Sequence, residues 1–398
     1  MSAAPAPGLP THGWAEVFRA FLYLGLTSFG GPVAHLGYFR REFVNRRRWL
    51  DEAAYADIVA LCQFLPGPAS SQVGISLGLL RAGYPGAFAA WLGFTAPSAF
   101  LMIAFGYGAT ALREVAGSAW LHGLQIVAVA VVAQAVIGMA RVLCPDLPRV
   151  ALALGAAAFM LLLPAALTQI AVIAAGGLIG WALLAPGKRL GDSLSFSVSR
   201  SSAVAALILF FVLLAALPIA ALISGSQLVA LLDSFYRAGA LVFGGGHVVL
   251  PLLQASVVPQ GWVSNDDFLA GYGAAQAVPG PLFTFSAYLG TVMALPPNGW
   301  LGGVICLVAI FLSSFLLVIG ALPLWNELRE AAWAQSALSG INAAVVGLLL
   351  AALYDPVWAS AIFTSADFAL ALAAFLALIL RTPPVLVVLA TAIAAMLV

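Results

Sequence analysis

The chain has 398 residues, of which 63% are hydrophobic and only 8% are charged, and its mean hydropathy is +1.07. Soluble domains carry roughly a quarter charged residues, so this composition excludes an ordinary soluble protein and indicates one that crosses a membrane many times. A net charge of +1 argues against a nucleic-acid partner, and the widely separated Cys62, Cys144 and Cys306 have no metal-binding or redox spacing.

The first half begins with two apolar runs that are each broken in the middle. Residues 14–47 are interrupted at Phe29-Gly30-Gly31, and residues 53–81 are interrupted at Pro66-Gly67-Pro68. The uninterrupted apolar runs that follow are 86–110, 117–140, 149–164 and 168–186. Because about 20 apolar residues cross a bilayer as a helix, we expect these four runs to span it. The two broken runs are expected to form interrupted or re-entrant helical hairpins.

A linker and a second half of the same design follow. The linker consists of a polar stretch, Pro186 to Ser201, and a lone apolar run at 202–223. Broken runs then recur at 228–256 and 266–294. The uninterrupted runs of this half are 299–325, 333–354, 361–380 and 383–398. The sequence therefore predicts a first repeat at 14–186, a linker with a linking transmembrane helix at 187–226, and a second repeat at 227–398.

The breaks themselves are repeated in register. The segment from Ser28 to His35 recurs as Val242 to Val249, and Gln63 to Pro68 recurs as Gln276 to Pro281. A further match, Leu112-Arg113-Glu114 with Leu328-Arg329-Glu330, lies near the end of the first spanning run. Apolar halves interrupted by Gly and Pro at matching positions are a sequence indication of a transporter binding site between two repeats.

The distribution of basic residues predicts how the halves are threaded. With the N-terminus in the cytoplasm and the broken runs re-entrant, every Lys and Arg except Arg113 and Arg237 falls on the cytoplasmic side. The loop after the first break carries Arg40-Arg41 and Arg46-Arg47-Arg48, whereas the matching loop from Gln254 to Asp267 has no basic residue. We therefore expect an all-α polytopic membrane protein of two inverted homologous repeats.

These paired motifs resemble the chromate ion transporter (CHR) family in its long form with two fused homologous domains. The resemblance rests on Phe29 to His35, on Phe243 to His247 with Pro251, and on the two Pro-Gly-Pro turns, and it extends from Trp14 to the end. It implies export of chromate across the bacterial inner membrane, chromate resistance and the proton-motive force as energy source. Sulfate is a second implied substrate. The first half departs from the second in having Pro32 where the second has Gly246.

The chemistry of helix breaks independently favours an oxyanion. A tetrahedral dianion that leaves water needs surrounding hydrogen-bond donors, and a helix start inside the membrane offers free N–H groups and partial positive charge. The residues that we predict for this site are Gly30, Gly31, Pro32, Pro66, Gly67, Pro68, Gly244, Gly245, Gly246, Pro279, Gly280 and Pro281, followed by the hydroxyls of Ser70, Ser71, Thr284 and Ser286. The alternative is that Gly and Pro only permit close helix packing and kinks.

Polar side chains beside the breaks complete the predicted site. Gln63 and Gln276 precede the two Pro-Gly-Pro turns and either donate to the anion or tie down the hairpin backbone. His35 and His247 either bind the anion, carry a coupling proton or serve as structural histidines. Arg237 lies about two turns before Gly244 and either clamps the anion or pairs with Asp233.

The sequence gives less support to other classes of function. No nucleophile motif, paired carboxylates or nucleotide-binding loop occurs in the apolar runs, so neither an enzyme nor an ATP-driven pump is expected. A passive anion channel is the remaining alternative, because channels also use helix ends and glycines. The Arg40 to Arg48 cluster signals topology or forms a basic rim that concentrates anions. No cofactor is expected, protons are the expected coupling ion, and the oligomeric state, a homodimer included, is left open.

Overall fold

The computed structural model describes residues 13–116, 118–185, 198–325, 327 and 331–397, and all regular elements in this part of the chain are helical. The predicted all-α polytopic membrane fold is therefore confirmed. Lys188, Arg189 and the match at Leu328 to Glu330 lie outside the described residues.

The helices of the first half follow the predicted order. They are α1 (Trp14–Thr27), α2 (Gly31–Phe39) with a π-helical continuation (Arg40–Arg46), α3 (Glu52–Phe64), α4 (Ala69–Ala116), α5 (Ala119–Leu143), α6 (Leu147–Leu162) and α7 (Ala166–Leu183). The linking helix is α8 (Arg200–Ser224). Both breaks lie where Gly and Pro predicted them, between α1 and α2 and between α3 and α4.

The second half repeats this order. Its helices are α9 (Gln227–Leu241), a 3₁₀ turn (Gly246–Val248) leading into α10 (Val249–Val257), α11 (Asn265–Ala275), a 3₁₀ turn (Leu282–Thr284) leading into α12 (Phe285–Val292), α13 (Gly299–Ala321), α14 (Ala332–Ala352) with a π turn (Leu353–Trp358), α15 (Ser365–Ile379) and α16 (Pro384–Ala395). Breaks again precede the turns at Gly246 and Leu282.

One boundary inside α4 lies where the sequence predicts it. The second broken run of the first half ends at residue 81 and the first spanning run begins at residue 86, and between them the backbone of Ala82 and Gly83 is not helical. Gly83 has a φ of 65°, a left-handed conformation that only glycine adopts without strain, and Pro85 follows it. The chain therefore changes direction between the two helical parts of α4.

Helix length separates two groups of apolar segments. Within the part of the chain that the structure describes, five helices are long and apolar enough to cross a membrane, at 69–109, 119–143, 200–224, 299–324 and 332–358. The other four predicted spans form α6, α7, α15 and α16, which have 16, 18, 15 and 12 residues. At 1.5 Å per residue these helices are only about 18–27 Å long, against a hydrocarbon core of about 30 Å. Their crossing stays a prediction.

Helices of each half pack against helices of the other half. Helix α5 of the first half packs against α15 and α16 of the second, and α14 of the second half packs against α6 and α7 of the first. Close approach at these crossings depends on glycine, because a Cβ on Gly123 would lie 2.6 Å from Ala392 and one on Gly340 would lie 2.1 Å from the carbonyl oxygen of Gly176. Glycine thus permits close packing at these crossings, which lie outside the breaks, while the inverted orientation of the halves stays a prediction.

Candidate functional site

A cavity of about 330 Å³ lies where the breaks of the two halves meet. The first break contributes Gly30, Gly31 and Pro32, and the second break contributes Gly244 to His247. Pro32 faces Gly246 across the boundary, since a Cβ on Gly246 would lie 3.3 Å from the Pro32 ring. The cavity is therefore a feature of both halves together.

Helix starts give this cavity its electrostatic character. Helix α2 begins at Gly31 with Pro32 in its first turn, and the 3₁₀ turn before α10 begins at Gly246. The first N–H groups of a helix have no partner within it and mark its positive end. No Lys or Arg is among the residues that line the cavity. The available charge is thus the partial positive charge of two helix starts.

His247 is held against the cavity by Tyr272. The imidazole Nδ1 lies 2.7 Å from the Tyr272 hydroxyl, which is fully buried in α11. Within the described chain the hydroxyl has no other hydrogen-bond partner, so donating its proton to Nδ1 is the arrangement that leaves no donor unpaired. The ring proton then lies on Nε2. A neutral His247 in this tautomer can donate a hydrogen bond to an oxyanion in the cavity.

The Pro-Gly-Pro turns link the halves through reciprocal backbone hydrogen bonds. The N–H of Gly67 donates to the Val242 carbonyl at 2.6 Å, and the N–H of Gly280 donates to the Ser28 carbonyl at 2.9 Å. Val242 and Ser28 occupy matching positions just before the two glycine breaks. Each half therefore fixes the break of the other. These two N–H groups are consequently not free to bind an anion, contrary to the sequence expectation.

The structure brings together nine of the predicted site residues. They are Gly30, Gly31, Pro32, Gly244, Gly245, Gly246, His247, Gln276 and Gly280. The predicted residues that do not line the cavity are His35, Gln63, Pro66, Gly67, Pro68, Ser70, Ser71, Arg237, Pro279, Pro281, Thr284 and Ser286. The predicted residues that line the cavity thus come mainly from the two glycine breaks, and the Pro-Gly-Pro turns contribute only Gly280.

Hydroxyl and amide groups near the turns mostly serve the backbone. Thr284 donates to the Pro281 carbonyl at 2.9 Å and Ser286 donates to the Phe283 carbonyl at 2.7 Å. Gln276 lines the cavity while its amide nitrogen donates to the Tyr272 carbonyl at 3.3 Å. Gln63, its counterpart, is exposed and lies away from the cavity. The two glutamines therefore do not have equivalent surroundings.

Arg237 pairs with an acidic residue of its own helix and lies outside the glycine-lined cavity. Its guanidinium donates to the carboxylate of Asp233, one turn earlier on α9. Its other surroundings are Gln169, Leu252 and Ser256, outside the glycine-lined cavity. The rival interpretation, an ion pair four residues apart on one helix, is the one observed.

Helix α5 supplies cavity residues that the sequence did not reveal. Gln134, Gly138 and Met139 form one wall, and Gln134 donates to the Leu378 carbonyl at 3.2 Å. A glutamine inside an otherwise apolar run was the available signal. Nothing in the sequence indicated that this run would face the breaks.

The basic loop after the first break is partly neutralised by its own acidic residues. Arg40 pairs with Glu52 at 2.7 Å, and Glu42 accepts hydrogen bonds from Arg46 and Arg47. Burial disfavours the charged carboxylate, but the hydrogen bonds from the two arginines outweigh it and hold the pKa of Glu42 below its ordinary value. In the described residues no cluster of His, Cys, Asp and Glu is placed to hold a metal ion.

Comparison with known proteins gives matches over both halves. The chromate transporter family matches residues 15–181 and 229–396. A chromate transport protein from Pseudomonas aeruginosa is 30% identical over 356 residues, which cover 87% of this chain and 82% of that protein. A probable chromate transport protein from Synechococcus elongatus is 27% identical over 353 residues, covering 86% and 84%. A chromate transport protein from Cupriavidus metallidurans is 27% identical over 356 residues, which cover 86% of this chain and 82% of that protein. No solved structure matches the chain.

Proposed function

The chain belongs to the chromate transporter family, and we propose that it exports chromate from the bacterial cytoplasm across the inner membrane, driven by the proton-motive force. Chromate resistance of the cell would follow from this export. Because the family consists of transporters, we propose carriage of the anion without chemical conversion.

The glycine-lined cavity between the two breaks is the observation that supports this proposal most. Chromate is a tetrahedral dianion, and it needs several hydrogen-bond donors when it leaves water. The helix starts at Gly31 and Gly246 and the imidazole of His247 supply donors without placing a full positive charge in the membrane. A site without a fixed cation binds an anion weakly enough to release it, as a carrier must.

The boundary between the halves is where a carrier would change its access. Inverted-repeat transporters move one part against the other around a site at the repeat interface. Here the reciprocal bonds of Gly67 and Gly280 cross that interface next to the cavity. We propose that the site opens to either side as these contacts rearrange.

The test is uptake of labelled chromate by inside-out membrane vesicles that contain the protein. We expect uptake to increase when a proton gradient is imposed, to fall when a protonophore removes it, and to be inhibited by an excess of sulfate. Uptake that follows only the chromate gradient would indicate a passive channel instead. Strong sulfate uptake with weak chromate uptake would indicate that the oxyanion site serves sulfate instead of chromate.

A further inference from the structure

The first half contains a buried polar cluster around His35, consisting of Ser28, His35 and Ser70. Each of these residues is at most 2% exposed. The Ser70 hydroxyl lies 3.4 Å from Nδ1 of His35, and the ring of Phe94 meets the imidazole edge-on at 5.2 Å. The backbone of Ser28 lies beside the same imidazole. The cluster and Phe94 therefore join the end of α1, helix α2 and both parts of α4.

Two polar atoms of the His35 cluster have no partner. Among the described residues, Nε2 of His35 and the hydroxyl oxygen of Ser28 make no hydrogen bond. A buried polar atom without a partner destabilises a fold, so native proteins keep few of them. Two such atoms in one cluster require an explanation other than stability.

The second half shows that the fold does not need these polar groups. The three positions and their counterparts are Ser28 and Val242, His35 and Val249, and Ser70 and Phe283. All three counterparts are apolar and at most 1% exposed. The same backbone is thus packed with apolar side chains in one half and with polar ones in the other.

The composition of the cluster indicates what it binds. None of its residues lines the anion cavity, and His35 is its only member whose charge changes near neutral pH. We propose that the His35 cluster is the proton-binding site of the transport cycle. Nε2 of His35 accepts a proton from water through its lone pair, and the imidazolium then donates hydrogen bonds to the neighbouring hydroxyl oxygens. Release of the proton to water on the other side restores the neutral ring. This proposal rests on the proposed proton-driven transport.

Two short connections join the His35 cluster to the anion cavity. His35 lies one helical turn after Gly31, which lines the cavity at the start of α2. The carbonyl of Ser28 accepts the hydrogen bond from Gly280, which lines the opposite wall. A charge on His35 would therefore act on both walls of the cavity.

Other ionisable groups lie on the helices that surround the cluster. They include Glu16, Arg19 and Tyr23 of α1, Tyr38 of α2, Glu52, Tyr55, Asp57 and Cys62 of α3, and Arg81, Tyr84 and Tyr107 of α4. Tyr55 donates to the Leu36 carbonyl, and Asp57 accepts from the indole of Trp325. Within the described residues no carboxylate contacts the His35 ring, so charging it requires water to enter. Proton uptake is thereby tied to opening of the first half.

The experiment compares two kinds of transport by the purified full-length chain in liposomes. Exchange of labelled for unlabelled chromate at equal pH on both sides needs binding and movement but no net proton transfer. Accumulation driven by an imposed pH gradient needs the proton site as well. The variant is His35→Gln. The matched control is His122→Gln, which removes a histidine that instead pairs with Asp367 at 3.0 Å outside the cluster.

We expect His35→Gln to keep exchange close to the wild-type rate and to lose gradient-driven accumulation, while His122→Gln keeps both. Gradient-driven accumulation that survives in His35→Gln would overturn the proposal. Loss of exchange in His35→Gln would also overturn it, because His35 would then serve substrate binding or the fold. A second variant, Ser70→Ala, removes only the hydroxyl beside Nδ1 of His35 and should slow driven accumulation alone. A wild-type protein that ignores the gradient would refute proton-driven transport itself, and this outcome is visible before any variant is compared.

Discussion

The two Pro-Gly-Pro turns have nearly the same residues but different surroundings. In the first half, α3 buries five of its 13 residues, and Gln63 at its end is exposed. In the second half, α11 buries eight of its 11 residues, packs against α5, and places Gln276 in the cavity. The duplicated sequence thus determines where helices stop, while the packing around each break differs. Unequal conformations of two related halves are what an alternating-access carrier requires.

The histidines show the same contrast in side-chain chemistry. His247 bonds to Tyr272 and lines the cavity, whereas His35 lies next to Ser70 and is closed off from it. Neither histidine has a polar counterpart, because the matching residues are Val33 and Val249. Each half therefore has one histidine shortly after its glycine break, and the two histidines occupy different positions in the repeat. This suggests separate roles for the two halves in binding and in coupling.

The largest effect is expected from labelling the two loops that follow the breaks. Single cysteines replace Asn45 and Gln260, both of which are exposed, while the buried native cysteines contribute little background. Because the two loops are homologous yet differ in charge, we predict that a membrane-impermeant thiol reagent reaches them from opposite faces of the membrane. Labelling of both from one face would disprove the inverted orientation.

A leucine at Gly245 should abolish chromate transport. Gly245 has a φ of 155°, and a side chain there would point at Met139 across the cavity, 3.5 Å away. The substitution both strains the break and fills the site. Uptake per amount of protein in the membrane is the measurement. Gly155→Leu in α6, where no atom lies within 4 Å of a new Cβ, is the control and should transport normally. Retained uptake in Gly245→Leu would show that this glycine serves helix packing and not anion binding.

Alanine at the two Pro-Gly-Pro glycines should affect stability unequally. A Cβ on Gly280 would lie 3.1 Å from the Phe94 carbonyl, which cannot move freely, whereas one on Gly67 would meet only the side chains of Gln72 and Ser314. Both positions have positive φ, which costs a residue with a Cβ about 1–2 kcal/mol. We predict a larger drop in the unfolding temperature for Gly280→Ala. Equal drops, or a larger one for Gly67→Ala, would contradict this reading of the interface.

The smallest effect is expected from Tyr272→Phe. The substitution removes one hydrogen bond, which is worth about 0.5–1.5 kcal/mol. Without the hydroxyl, nothing in the site keeps the ring proton of His247 on Nε2. We expect KM for chromate to rise by roughly two- to tenfold at little change in maximal rate. Tyr236→Phe removes a hydroxyl that bonds to the Phe210 carbonyl away from the cavity, and it should leave KM unchanged. A similar KM change in both variants would exclude a specific role for Tyr272.

Sequence patterns predicted the backbone better than the site. Gly and Pro leave a local signature at each break, so the starts at Gly31 and Gly246 were predictable. The α5 wall was not, because which distant helix faces a break is decided by tertiary packing. The hydrogen bond of Gly67 to Val242 has the same cause. The Arg237 pair with Asp233 was readable from its helical spacing, but its distance from the cavity was not.

The helix ends were a second limit of the sequence. Hydropathy located the runs at 361–380 and 383–398, but α15 and α16 are shorter than these runs. Pro383 and Pro384 lie between the two helices, and Pro384 begins the second one. An apolar run alone does not show where the hydrogen-bonded part of a helix ends.

The most direct test of the division of roles is chromate binding to purified protein at a single pH, without any gradient. The variants are His247→Ala and His35→Ala. Loss of a hydrogen bond to a charged group costs about 1.5–3 kcal/mol, so we predict a roughly ten- to hundredfold rise in Kd for His247→Ala. His35→Ala should leave Kd close to the wild-type value. Equal weakening in both variants, or weakening confined to His35→Ala, would contradict the assignment of anion binding to the second break and proton binding to the first half.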